Sequence, residues 1–135
     1  MRPAVALCLL ALALTACGSA PRDSAEEFSG AERAVATAIE DLETAARDDD
    51  PGAVCTKLLS ESLLGTLKEQ GTTCTTAVRD AFTDADSFEL TVDEVTISGT
   101  KASAKVTSGT GSQKKTDTLE LERVGSAWRI TSLNA

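Results

Sequence analysis

The stretch FELTVDEVTISGTKASAKV, residues 88–106, decides the fold, because its apolar residues recur with a period of two and then change phase. Three of them share one parity and the next two share the other: Phe88, Leu90 and Val92, then Val95 and Ile97. Since successive side chains of a strand point to opposite faces, a β-bulge near Asp93-Glu94 would return both sets to one face. Gly99-Thr100 then marks a hairpin turn, so the stretch predicts two antiparallel strands.

The same alternation continues to the end of the chain and predicts two further strands. Gly109-Thr110-Gly111 and Gly125-Ser126 mark the turns before them. Their inward apolar residues are Leu119, Leu121, Trp128 and Ile130. Because all the turns are short and contain Gly, the roughly four strands form an antiparallel meander.

The residues before this sheet follow a helical period. Residues 30–47 predict one long amphipathic helix, with Ser29 and Glu32 placed as a capping box. Asp50 and Pro51 predict the N-cap and first position of a second helix. Further helical stripes are Val54, Cys55, Leu58 and Leu59, then Leu63, Leu64 and Leu67, then Cys74, Ala77, Val78, Ala81 and Phe82. Helices followed by a meander define an α+β class in which the helices cover one face of the bulged sheet.

Residues 1–16 have the composition of an export signal: Arg2, then an apolar run too short to span a bilayer. Leu14-Thr15-Ala16-Cys17 resembles the lipobox of bacterial lipoproteins. That resemblance implies cleavage before Cys17 and a diacylglyceryl group on its thiol, and two acyl chains anchor a protein stably. We therefore expect a signal peptide (1–16), a lipidated Cys17 with a flexible tether (17–29) and one domain (30–135). The protein would be held at the cell membrane and face the extracytoplasmic side.

Two cysteines, Cys55 and Cys74, remain once Cys8 leaves with the signal and Cys17 carries lipid. An exported protein matures in an oxidising compartment, so an even remainder of two predicts one disulfide. A metal site is the first alternative, but it would need two further ligands in a chain with no His. A redox pair is the second alternative, and it more often has the spacing C-x-x-C.

The charge balance and the missing residue types exclude several function classes. With 13 basic and 21 acidic residues the formal charge is −8, which disfavours nucleic acid as a partner. With no His, catalytic triads and metal sites that depend on imidazole are absent. The run Asp48-Asp49-Asp50 lacks the alternating ligands of a calcium loop, so we expect no metal and no cofactor.

From Gly30 to Ala135 the order of parts resembles the nuclear transport factor 2-like superfamily. The resemblance rests on that order together with Cys55, Cys74 and the segment VGSAWRI, residues 124–130, with its W-x-I strand. Within the superfamily the chain is most similar to small lipoproteins of high-GC Gram-positive bacteria that have no assigned activity. The resemblance implies a cone-shaped α+β fold in which the concave sheet and the helices enclose a pocket. Such a fold hosts unrelated functions, so the function must come from the site.

Three aromatic residues are the candidates for lining that pocket: Trp128, Phe88 and Phe82. A single Trp on an alternating strand is also typical of a core anchor. Isomerases of this superfamily need a carboxylate base and buried donors, and the chain has no Tyr to supply a phenol. The candidate carboxylates lie at strand ends or on the solvent-exposed face of the predicted sheet: Asp86, Glu89, Asp93 and Glu94.

The sequence therefore predicts a lipid-anchored, non-catalytic binding or accessory domain. Its partner would be an envelope protein or a small apolar ligand. One alternative is an isomerase- or hydrolase-like enzyme that uses an inward-facing carboxylate. Another is an acidic inhibitor or immunity-like protein, whose surface would steer a basic partner.

Overall fold

Four helices pack on one face of a four-stranded antiparallel sheet in this protein, for which the computed structural model describes residues 24–132. The helices are α1 (Gly30–Arg47), α2 (Pro51–Ala53), α3 (Glu61–Glu69) and α4 (Cys74–Asp84), and a π-helix (Val54–Leu58) continues directly from α2. The strands are β1 (Leu90–Ser98), β2 (Lys101–Ser108), β3 (Lys115–Val124) and β4 (Ala127–Ser132). This arrangement confirms the α+β prediction, and α1 has the predicted bounds.

The sheet is a simple meander in the order β1-β2-β3-β4. Its register shifts between Val92 and Glu94, which confirms the predicted bulge and leaves Asp93 as the extra residue. The bulge puts Val92 and Val95 on the same inner face, and both are buried. The alternation predicts that Phe88 belongs to β1, but the strand begins two residues later, at Leu90.

Polar side chains cap three of the helices, and the cap at Asp50 is the one predicted above. Asp50 Oδ1 accepts from the Ala53 N–H at 2.9 Å. The Ser60 hydroxyl caps α3 by accepting from the Leu63 N–H at 3.2 Å. The Thr73 hydroxyl caps α4 by accepting from the Thr76 N–H, also at 3.2 Å. Ser29 occupies the N-cap of α1, but its side chain makes no capping bond within the described residues. The capping box predicted there is therefore not formed, and the extended backbone of Ser29 precedes the helix.

The residues ahead of α1 pack on the domain as a short 3-10 turn (Ser24–Glu27). Ser24 and Ala25 are buried, and the turn contacts both α1 and β1. The folded part of the chain therefore includes residues 24–29, which the sequence assigns to the tether, because Ser24 finds hydrogen-bond partners on two elements. Cys17 and the rest of the predicted signal and tether lie outside the described residues.

The core lies between α1 and the inner face of the sheet. Its fully buried large residues are Val35, Ile39, Val54, Leu59, Val92, Leu121 and Ile130. Leu59 also forms a parallel bridge with Ile130, which ties the end of the π-helix to β4. In residues 24–132 no helix has the length and the apolar character needed to cross a membrane.

Candidate functional site

An apolar pocket of about 510 Å³ lies between the helices and one end of the inner sheet face. Its helical side is built from small and aliphatic side chains and one aromatic ring: Leu42, Ala46, Val54, Leu59, Leu63, Leu67, Ala77, Val78, Ala81 and Phe82. The sheet side and the connection before it supply Ala85, Ser87, Phe88, Leu90, Asp117 and Leu119. A volume of this size is within the range of small-molecule sites, roughly 300–1,000 Å³.

The pocket wall on α4 follows from the spacing of its apolar residues. Ala77, Val78, Ala81 and Phe82 form one stripe on the helix, and two of the four are only alanines. Phe82 packs edge-on against Phe88, with ring centroids 5.8 Å apart and planes at 73°. Because alanine side chains fill little space between the helix and the sheet, room remains beside this aromatic pair.

The disulfide bond links two helical elements that form the wall of the apolar pocket. Cys55 on the π-helix is bonded to Cys74 at the start of α4, with Cα atoms 6.0 Å apart, which confirms the predicted pairing. Cys55 directly follows Val54, and Cys74 lies about one helical turn before Val78. Both valines line the pocket. Arg129 holds the same segment from β4, where its guanidinium donates to the carbonyls of Thr56 at 3.1 Å and Leu59 at 3.3 Å.

Three polar side chains line the otherwise apolar pocket: Glu43, Ser87 and Asp117. Glu43 accepts from the Leu90 N–H at 3.1 Å and pairs with Arg47 at 2.5 Å. Ser87 accepts from the Glu89 N–H at 3.1 Å. Asp117 has one partner among the described residues, the ammonium of Lys115 at 3.6 Å. The carboxylate of Asp117 therefore has the most acceptor capacity left for a ligand.

A second cavity, the polar cleft, runs along the other side of α1 and has a volume of about 680 Å³. Its charged lining carries both signs: Arg33, Asp41, Asp48, Asp50 and Lys57. All five side chains are exposed, and Asp50 already serves as an N-cap. Within the described residues no group of three or more His, Cys, Asp or Glu has the geometry to hold a metal ion.

Trp128 lines the polar cleft rather than the apolar pocket. It is only 5% exposed and belongs to the core cluster, so most of the indole packs against other side chains. The three candidate aromatic residues are thus divided between two cavities, with Phe82 and Phe88 together and Trp128 apart. The π-helix lies between these cavities, because Val54 faces the apolar pocket whereas Lys57 and Leu58 line the cleft.

The four carboxylates that the sequence offers for catalysis, Asp86, Glu89, Asp93 and Glu94, are all exposed. The pocket is instead lined by Glu43 and Asp117, neither of which is among those four carboxylates. A signal for Asp117 exists in the sequence, since it shares the parity of Leu119 and Leu121 on an alternating strand. Ser60 is fully buried and acts as a helix cap, hydrogen-bonded also to Ser62 at 2.9 Å.

No family model matches this chain, and no curated protein matches it. Among solved structures the chain is similar to a de novo designed NTF2 fold protein, NT-9. The two chains are 18% identical, with a TM-score of 0.47, over 76% of this chain and 82% of that one.

Proposed function

We propose that this protein is a cell-envelope lipoprotein whose folded domain binds a small apolar ligand outside the membrane and does not catalyse a reaction. The observation that carries the binding role is the apolar pocket, in which 14 of the 17 lining residues have apolar side chains. Sites for small ligands are mostly apolar with a few placed polar groups, and this pocket has that composition. The lipobox-like Leu14-Thr15-Ala16-Cys17 supports the location.

The pocket is supported on both sides by contacts that do not depend on a ligand. The disulfide joins the π-helix to α4, and Arg129 joins the π-helix to β4. Leu59 adds a backbone bridge to the same strand. A largely preformed site binds more tightly than one that must be ordered, because less conformational entropy is lost on binding.

A neutral photoreactive probe tests this function directly. The full chain, produced in a bacterium that processes lipoproteins and held in lipid nanodiscs, is irradiated with a long-chain alcohol carrying a diazirine. We expect mass spectrometry to find the label on the peptides that contain Phe82 and Phe88. Ala77→Phe, which puts a ring in place of a half-buried alanine of the pocket wall, should reduce this labelling about tenfold, since an occupied site excludes the probe.

Thr75→Phe is the matched control, because Thr75 lies on the same helix, is exposed and does not line the pocket. It should leave the labelling of the Phe82 and Phe88 peptides unchanged. Label spread evenly over the exposed surface, or equal labelling of both variants, would contradict ligand binding in this pocket.

The enzymatic alternative needs an inward-facing carboxylate among the residues that the sequence selected for it. Asp86, Glu89, Asp93 and Glu94 are exposed, and none of them lines the apolar pocket. The buried Ser60 hydroxyl is engaged as the cap of α3 and has no His partner. These observations favour binding over catalysis as the function that we propose.

A further inference from the structure

We infer that the apolar pocket selects ligands in which an apolar body carries a protonated amine, and that Asp117 is the residue that binds the amine. This inference rests on the proposed ligand binding and adds the chemical class of the ligand. It follows from the position of Asp117, from the state of the other polar groups in the pocket and from the sign of the charges that line it.

Asp117 lies on the inner face of the sheet. In the register of β2 and β3 it is paired with Val106, just as Leu119 is paired with Ala104. Directly paired residues of antiparallel strands share a face, so Asp117 belongs to the same face as the buried Val106 and Leu119. Its side chain is 26% exposed. A carboxylate in such a position loses hydration, and a cationic partner offsets that loss.

The present partner of Asp117 is weakly placed. Lys115 Nζ lies 3.6 Å from Asp117 Oδ2, beyond the usual length of a charge-assisted hydrogen bond, about 2.7–2.9 Å. The Lys115 side chain is 59% exposed, and ion pairs at the surface contribute little. No described residue donates a hydrogen bond to the Asp117 carboxylate, so a ligand amine can approach it without breaking one.

The other polar groups of the pocket are already occupied. Glu43 uses both carboxylate oxygens, one for the Leu90 N–H and one for Arg47, and Ser87 accepts from Glu89. Among the described lining residues neither Lys nor Arg occurs, and the two charged groups are both carboxylates. Because Glu43 is paired with Arg47, the charge that a ligand head group meets is that of Asp117, which attracts a cation and repels a carboxylate, so the pocket discriminates against fatty acids of the same length.

The test compares probes of equal chain length that differ only in the head group. The full chain in lipid nanodiscs is irradiated with a diazirine-bearing alkylamine, alcohol or carboxylic acid. We expect the amine to label the Phe82 and Phe88 peptides about tenfold more than the alcohol, because a charge-assisted hydrogen bond is available only to the amine. The acid should label them less than the alcohol does.

Asp117→Asn removes the charge with almost no change in shape. It should lower the ratio of amine to alcohol labelling about tenfold and leave the alcohol labelling unchanged. Glu120→Gln is the matched control, since Glu120 lies on the same strand, is exposed and does not line the pocket. Partition of the probes into lipid is the same for every variant and cancels in the comparison.

Lys115→Gln gives an independent measurement, because it removes the competing cation from an exposed position. It should raise the amine labelling about two- to fivefold, as expected for the loss of a surface ion pair. Failure of the alcohol to label the pocket contradicts the proposed function itself. Alcohol labelling with no preference for the amine, or an amine preference that survives in Asp117→Asn, overturns only the present inference.

Discussion

Ser24 is a residue whose importance depends on partners far away in the chain. Its hydroxyl donates to Glu40 Oε1 at 3.3 Å and accepts from the Val92 N–H at 3.2 Å. The Ala25 N–H donates to the same Glu40 oxygen at 2.7 Å. Because Ser24 is only 5% exposed, water cannot readily replace these bonds. One side chain thus joins the N-terminal turn, α1 and the edge strand β1.

Ser24→Ala should therefore destabilise the fold by about 1–3 kcal/mol, since it leaves the buried Val92 N–H without its acceptor. The free energy of unfolding can be measured with urea, using the emission of Trp128, the only tryptophan of the chain, as the signal. Ser98→Ala is a suitable control, because Ser98 is exposed at the end of β1. Equal free energies of unfolding for the two variants would show that the Ser24 hydrogen bonds do not stabilise the packing of the N-terminal turn.

Among the elements, the π-helix is the one that lies between the two cavities. A π-helix has a wider turn than an α-helix and often occurs at functional positions. Here it begins directly after the three-residue helix α2, and its residues separate the apolar pocket from the polar cleft. It is short, so its geometry depends on the disulfide at Cys55 and on the two carbonyl contacts from Arg129.

Replacing both Cys55 and Cys74 with Ala should lower the free energy of unfolding by about 3 kcal/mol. The bond joins cysteines that are 19 positions apart, and its loss increases the conformational entropy of the unfolded chain. Urea unfolding of the double variant should match that of the wild type kept in dithiothreitol. A double variant as stable as the oxidised wild type would disprove a stabilising role for the bond.

At the scale of the whole molecule, the position of the N-terminal turn limits how far the domain can stand from its anchor. If Cys17 carries the lipid, only residues 17–23 separate the anchor from the buried Ser24. A fully extended chain of that length spans about 25 Å. The proposed lipoprotein would thus hold its folded domain close to the membrane surface, where apolar and amphipathic molecules are concentrated.

The anchoring proposal predicts a defined mass for the mature protein. Intact mass spectrometry of the membrane fraction should show loss of residues 1–16 and addition of a diacylglyceryl group. Cys17→Ala should abolish the added mass and either release the protein or leave its leader uncleaved. Detection of the wild type with its leader attached and its Cys17 thiol free would refute the anchoring and the location together.

Features that depend on local patterns could be predicted well from the sequence. The bounds of α1 follow from a helical stripe that begins after Ser29, and the bulge at Asp93 follows from a change of parity. The disulfide was predicted by counting cysteines on the expectation that the chain is exported, and the bond is present. The pocket could be predicted only in part, since Phe82 and Phe88 meet in it but Trp128 lies in the other cavity.

The sequence by itself determined the α+β class and the meander with its bulge, because periodicity acts through neighbours along the chain. It favoured a disulfide between Cys55 and Cys74, and the tertiary structure decided it by bringing the two side chains together. The parity of β3 places Asp117 on the inner face, but only the tertiary structure decided that Asp117 and Glu43 line the same pocket. Asp117 and Glu43 come from a strand and a helix 74 positions apart in the numbering, and they meet because both elements turn one face toward the same space. That meeting depends on how the helices cross the sheet, and no local pattern encodes it.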